Sequence, residues 1–348
     1  MVYRALEQSI FAQIWNVCFA IIPTVDGKRR IRCLLANEVA AEQVRLVDLR
    51  EDRRAEVWAK HQVACFEHIE QGLTWEPDVV LVSVPGAYHV PVCLAALEAG
   101  KHVFCEVPLS TNLEGIDQLV TLAAEKQLVV APGCDWAFNP LNQQVRRWLR
   151  DPAFGKPLFC HVIQGSYLPD WHPYEDYRSF YASNQSMGGG NLDMIAQDLT
   201  LLYWLTEDRM RHVYCQGNQL SELEVEGSDY HQILANATNG MALTMQFDLI
   251  QRIHKYEIRI VSEQGTIELG PASSRRYLAA TDRWDELTAA QDFDYEQCYV
   301  REIRTFLDCL HGQTQWPLTL DCAIDVVRFL LAIKHSETAK TRVVVAGC

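Results

Sequence analysis

Three polar residues in one predicted helix are spaced to do chemistry together. Over residues 192–205 the apolar side chains Leu192, Ile195, Ala196, Leu199, Leu202 and Tyr203 recur at helical spacing, and Asp193, Gln197 and Thr200 fall beside them at i, i+4 and i+7. A carboxylate and an amide on one face can bind a hydroxylated molecule, with Asp193 as a base. The plainer alternative is a carboxylate in the first turn of a helix, satisfying backbone donors. His172, between Trp171 and Pro173, is the only imidazole in its loop and a second acid-base candidate. Trp171, Tyr177 and Tyr181 can form a stacking wall for a sugar ring, or an aromatic cluster between domains.

These residues need a scaffold, and the chain has 348 residues, enough for two domains. Short apolar runs at 17–22, 44–47, 79–84 and 103–105 alternate with helical stretches, the pattern of βαβ units with a buried parallel sheet. One helix is bounded by Pro91 and Gly100. From about residue 158 longer alternating strands take over. Met241, Leu243, Met245 and Phe247 point one way after the turn signal Asn239-Gly240, and a second hairpin is centred on Gly265. The fold class expected is α/β: an N-terminal Rossmann-like domain over 1–135 and an α+β domain with an open, mainly antiparallel sheet over 136–348. The face carrying Met241, Leu243 and Met245 either packs on its own helices or meets another subunit.

The first strand leads into a turn ending at Gly27, and a second strand ends at Asp48, 21 residues after it. In a dinucleotide-binding unit three glycines line that turn, and an acidic residue about 20 positions on bonds the ribose. Gly27 and Asp48 fit, while Ile22 and Thr24 stand where two of the glycines belong. Asp48 would repel a 2′-phosphate, so NAD is favoured over NADP, and Arg50 beside it keeps NADP as the alternative.

Residues 78–89 end in Pro85-Gly86-Ala87-Tyr88-His89, and Ala99-Gly100-Lys101-His102-Val103 is followed by Glu106-Val107-Pro108. With Gly188-Gly189-Gly190-Asn191-Leu192-Asp193 and the late runs at 299–302 and 336–338, this resembles the Gfo/Idh/MocA family (glucose-fructose oxidoreductase, inositol dehydrogenase and relatives). The loop at 168–173 is similar to the branch acting on sugar nucleotides and amino sugars. The resemblance implies hydride transfer between NAD(P) and a carbinol or carbonyl, a cofactor cleft touching Ser83, His89 and Glu106, and a homo-oligomer, dimer or tetramer. It also implies a lysine and a histidine that move the proton, and here those positions hold Val107 and Gln197. The arginine often found before Phe138-Asn139-Pro140 is Ala137. Valine cannot exchange a proton and glutamine cannot titrate. Two readings follow: an NAD(P)-dependent oxidoreductase of a polyhydroxylated small molecule with Asp193, Gln197 and His172 at the chemistry, or a cofactor-poor relative that is a non-redox enzyme or a ligand-sensing protein.

Composition narrows the partners. The 31 Lys+Arg against 45 Asp+Glu give a net charge of −14, which argues against nucleic acid and anionic membranes. Twelve cysteines are scattered with no C-x-x-C pair, so reduced buried thiols and no metal site are expected. The apolar stretch 14–22 lacks a basic flank and is too short to span a bilayer, and a cytoplasmic protein is expected.

Overall fold

The computed structural model describes residues 17–20, 25–173 and 176–347, and Ile22 and Thr24 lie outside them. The first sheet is parallel, built from β1 (Val17–Ala20), β2 (Val44–Val47), β3 (Ala64–Phe66), β4 (Val79–Val82), β5 (His102–Cys105) and β6 (Val130–Pro132) in the order β3-β2-β1-β4-β5-β6. All four residues of β4 are at most 1% exposed, as a strand covered on both faces requires. It stops at Val82, two residues short of the expected run, because Ser83 and Val84 leave the ladder toward Pro85, which has no N–H to donate. The order reverses between β1 and β4, and ligands of open α/β sheets bind outside the carboxyl ends of the strands at such a point.

The covering helices are α1 (Val25–Ala36), α2 (Glu51–His61), α3 (Ile69–Thr74), α4 (His89–Glu98) and α5 (Ile116–Glu125). After α6 (Pro140–Leu149), capped by the Asn139 side chain on the Leu141 N–H, the chain builds a nine-stranded sheet. Its strands are β7 (Pro157–Tyr167), β8 (Met210–Asn218), β9 (Tyr230–Ala237), β10 (Ala242–Asp248), β11 (Ile250–Ser262), β12 (Gly265–Leu269), β13 (Ser273–Leu278), β14 (Arg283–Thr288) and β15 (Val343–Val344). Both hairpins expected from the turn residues form, β9 with β10 and β11 with β12. The β7–β10 pair at the centre is parallel, so the sheet is mixed there. Met241, Leu243 and Met245 are each no more than 2% exposed, in the core that includes the helix α7 (Asn191–Thr206). Of the two fates open to that face, packing on its own helices is the one realised.

The last helices, α8 (Glu296–Leu310) and α9 (Leu320–Ala339), return to the first sheet. Ile303 and Phe306 join the core on one side with Ile31 and Phe104, and Ala323, Ile324 and Val327 join the other with Val80 and Val103. The C-terminal chain thus completes the layers that hold the carboxyl ends of β4 and β5 in place. Among the described residues no helix is long and apolar enough to cross a membrane, and no cluster of three His, Cys, Asp or Glu can hold a metal ion.

Helix α7 carries a second acid on its inner side. Asp198 is 0% exposed, and neither of its oxygens completes a hydrogen bond among the described residues. Burial pushes its carboxyl up to about 8, offset only in part by the Tyr256 hydroxyl nearby. A carboxyl raised from 3.8 in this way adds stability below pH 3.8 that is lost as pH rises through about 8. Asp198→Asn removes the penalty. It is expected to raise unfolding free energy at pH 8 by roughly 1–3 kcal/mol, less than the full shift because the amide is also left without partners among the described residues, and to flatten the pH profile of urea unfolding. An unchanged profile would show that the carboxyl is not held neutral.

Candidate active site

Three acidic residues stand just past the carboxyl ends of strands in the first sheet, Asp48 after β2, Glu106 after β5 and Asp135 after β6, and a fourth, Asp193 of α7, lines a cleft together with Glu106 and Asp135. Burial makes each an expensive place for charge unless a partner is supplied. Glu106 and Glu302 of α8 share one partner, the fully buried Arg30 of α1. Its Nε donates to Glu106 Oε1 and its Nη1 to Glu302 Oε2, both at 2.6 Å. The backbone N–H of Cys134 donates to the other oxygen of Glu302 at 2.6 Å. Burial, the largest single influence, pushes Glu106 up, but the charge and hydrogen bond of Arg30, with His89 and Arg29, together outweigh it and hold the carboxyl below its usual range. For Glu302 burial wins, and its carboxyl is raised to about 8. Asp135, raised by burial, accepts from the Tyr295 hydroxyl at 2.7 Å.

Asp48 is 2% exposed, and its Oδ1 accepts the Arg50 N–H at 2.8 Å; burial raises its carboxyl. The Arg50 guanidinium pairs with Asp52 instead. Gly27 lies in the first turn of α1. Ser83 lines the cleft, its hydroxyl 3.4 Å from Glu106 Oε1. His89 lines it too, but its Nδ1 lies 2.6 Å from the Pro108 carbonyl and its Nε2 2.7 Å from that of Val84. The ring is 1% exposed and ties the loops after β4 and β5 together, so neither nitrogen is turned to a ligand.

The opposite wall begins at the glycines. A Cβ on Gly189 would lie 2.0 Å from the Tyr181 carbonyl oxygen, and Gly188 and Gly190 have φ of +89° and +76°. Only glycine permits residues 181–183 to lie against the start of α7. That contact brings the Tyr181 hydroxyl to Asp193 Oδ2 at 3.0 Å, where the Gln197 amide also reaches at 3.4 Å. Asp193 is 7% exposed, in the first turn of α7, where the helix dipole favours its negative charge. Val107 faces the same cleft.

Asp193 and Gln197 also line an outer chamber of about 560 Å³ that contains Trp171 and His172. The Trp171 indole donates to Ser166 Oγ at 2.8 Å, and His172 lies edge-on to Phe180 with ring centroids 4.6 Å apart. Tyr177 departs from the expected sugar wall. Its hydroxyl accepts the Glu224 N–H at 3.2 Å and Arg178 covers its ring, so it lines neither cavity. Arg30, Asp135, Tyr295 and Glu302 were given no site role from the sequence, although Glu302 falls in the run at 299–302. The signal available was an arginine between apolar positions of α1, which reads as a surface residue until α8 is known to cover it.

A family model described as an oxidoreductase family with an NAD-binding Rossmann fold matches residues 19–134, and a GFO/IDH/MocA C-terminal domain model matches residues 142–268. The inositol 2-dehydrogenase/D-chiro-inositol 3-dehydrogenase of Shouchella clausii is 25% identical over 81% of this chain and 79% of its own. The myo-inositol 2-dehydrogenase of Thermotoga maritima is 27% identical over 75% and 78%. A levoglucosan dehydrogenase solved with NADH and levoglucosan shares the fold, with a TM-score of 0.82 at 16% identity over 95% of this chain and 100% of that one. With both domains matched across most of the chain, the protein belongs to the Gfo/Idh/MocA oxidoreductase family.

Proposed function

We propose that the protein is an NAD-dependent dehydrogenase of a sugar-like polyol in which Asp193, held by Tyr181 and Gln197, does the proton transfer. The supporting observation is the Tyr181–Asp193–Gln197 contact at the junction of the inner cleft and the outer chamber. Of the other acids of the cleft, Glu106 is paired with Arg30 and Asp135 lines the inner cleft alone, away from the outer chamber, and the nitrogens of His89 face carbonyls. Val107 has no proton to give. The dinucleotide fits the residues present: the cleft opens at the strand-order reversal, Gly27 stands where α1 begins, and Asp48 offers a carboxylate at the end of β2. When bound, it supplies the hydride acceptor. Asp193 takes the hydroxyl proton of the carbinol, the Tyr181 hydroxyl and the Gln197 amide steady its charge, and Trp171 offers the sugar a flat face.

Calorimetric titration with NADH tests this reading. Binding is expected, and Asp48→Ala is expected to weaken it about tenfold or more, the worth of a lost charge-assisted hydrogen bond. The second reading, a relative that no longer binds cofactor, draws on the Arg30–Glu106 pair, which occupies a carboxylate the cofactor cleft was expected to use. No binding at millimolar NADH would decide for that second reading.

A further inference from the structure

The outer chamber has an unusual rim. Strand β11 pairs with β7 at Ile250–Tyr167 and again at Lys255–Gly165, so residues 251–254 bulge opposite Ser166 alone. The bulge is built rather than loose. Asp248, 2% exposed, accepts the N–H groups of Ile250 at 3.2 Å and Gln251 at 3.1 Å, and the Gln251 amide at 2.6 Å. Gly165 makes room for it, since a Cβ there would lie 2.0 Å from Gln251 Nε2. Bulges beside active sites re-aim side chains, and this one turns Arg252 and His254 to the chamber. The Arg252 guanidinium rests on the Tyr167 ring, 3.5 Å from its centroid, and has no carboxylate partner among the described residues. Gln164, in the same chamber, is 9% exposed and its Oε1 lacks a partner among the described residues.

A chain with net charge −14 has carboxylates to spare for its arginines. One left unpaired on a fixed bulge, facing a cavity, answers to negative charge that arrives with the ligand. The chamber's own acids do not meet that need: Asp193 is engaged by Tyr181 and Gln197, and Asp170 lies on the turn after β7. A guanidinium fork binds carboxylate and phosphate alike, while the unpartnered Gln164 oxygen accepts from a hydroxyl.

We infer that the outer chamber is a subsite for an anionic sugar, a sugar acid or sugar phosphate, whose oxyanion is taken by Arg252 and one of whose hydroxyls is taken by Gln164. This deepens the dehydrogenase reading and rests on it for the reacting end of the molecule. The test is calorimetry on the full-length protein, with and without NADH, using glucuronate, galacturonate, gluconate and glucose 6-phosphate beside glucose and galactose. At least one acid is expected to bind about tenfold or more tightly than its neutral parent. Arg252→Gln, a change at an exposed position, is expected to erase that advantage while leaving the affinity for NADH unchanged. The sugar acids and the phosphate separate the two sources of the oxyanion. If no acid outbinds its neutral parent, or the preference survives in R252Q, the subsite is refuted. An Arg252-dependent preference without any NADH binding keeps the subsite and removes the dehydrogenase reading; NADH binding without the preference does the reverse.

Discussion

Asp193→Asn is expected to lower kcat by about 100-fold or more, the usual worth of a general base, with KM changed far less. Asparagine matches the shape of aspartate and still accepts the Tyr181 hydroxyl and the Gln197 amide, so the melting temperature should move little. What is lost is the ability to take a proton at the one carboxylate that lines both the inner cleft and the outer chamber. Glu106 is locked to Arg30, Asp135 lines the inner cleft alone, and Val107 is inert. Tyr181→Phe provides the graded comparison. It removes one donor to Asp193 but no base, and about a tenfold drop is expected. Steady-state kinetics with NADH affinity measured in parallel separates chemistry from cofactor loss. An Asp193→Asn enzyme within a factor of about three of the parent would show that the base lies elsewhere, with His172 the next side chain to replace.

The largest loss of stability is expected at Arg30. Arg30→Met keeps a long apolar stem but leaves Glu106 and Glu302 without their shared counter-charge, and removing one partner of a buried ion pair costs about 3–5 kcal/mol. The size of the loss depends on pH, and its sign follows from Glu302. A carboxyl raised from 4.5 to about 8 in the folded protein contributes stability that is complete below pH 4.5 and is lost as pH rises through about 8. Without the guanidinium that opposes the rise, ionising the pair becomes costlier still. The deficit of Arg30→Met should therefore be small in acid and grow toward pH 8. Glu302→Gln in the same chain should recover part of it, because the amide carries no charge and can still accept the Cys134 N–H. Urea unfolding of the single and double variants across pH 5–9 measures both effects. A deficit independent of pH, or no recovery in the double variant, would place the loss in packing instead.

Local pattern carried much of the architecture. The buried strands at 44–47 and 79–82 are apolar runs because both faces are covered; the Asn239-Gly240 turn makes a hairpin because Gly240 takes a φ of +93°, and Gly265 leaves room where a Cβ would lie 2.2 Å from the Tyr277 carbonyl oxygen. The α7 stripe of Asp193 and Gln197 followed from the pitch of a helix, and its partners did not. That Tyr181 meets Asp193 while Tyr177 turns away to Glu224 depends on how closely residues 181–183 press on the glycines before α7. The Met241 face was legible as apolar, yet only the packed helices show what covers it. Arg30, Glu106 and Glu302 lie 76 and 272 residues apart along the pairs they form. No periodicity spans such distances. Helical pitch and strand pleat are properties of neighbouring residues, and they reach sequence as pattern. Which distant charges share a buried site, and which bulge turns an arginine toward a cavity, is decided only when α8 closes over α1 and β11 pairs with β7.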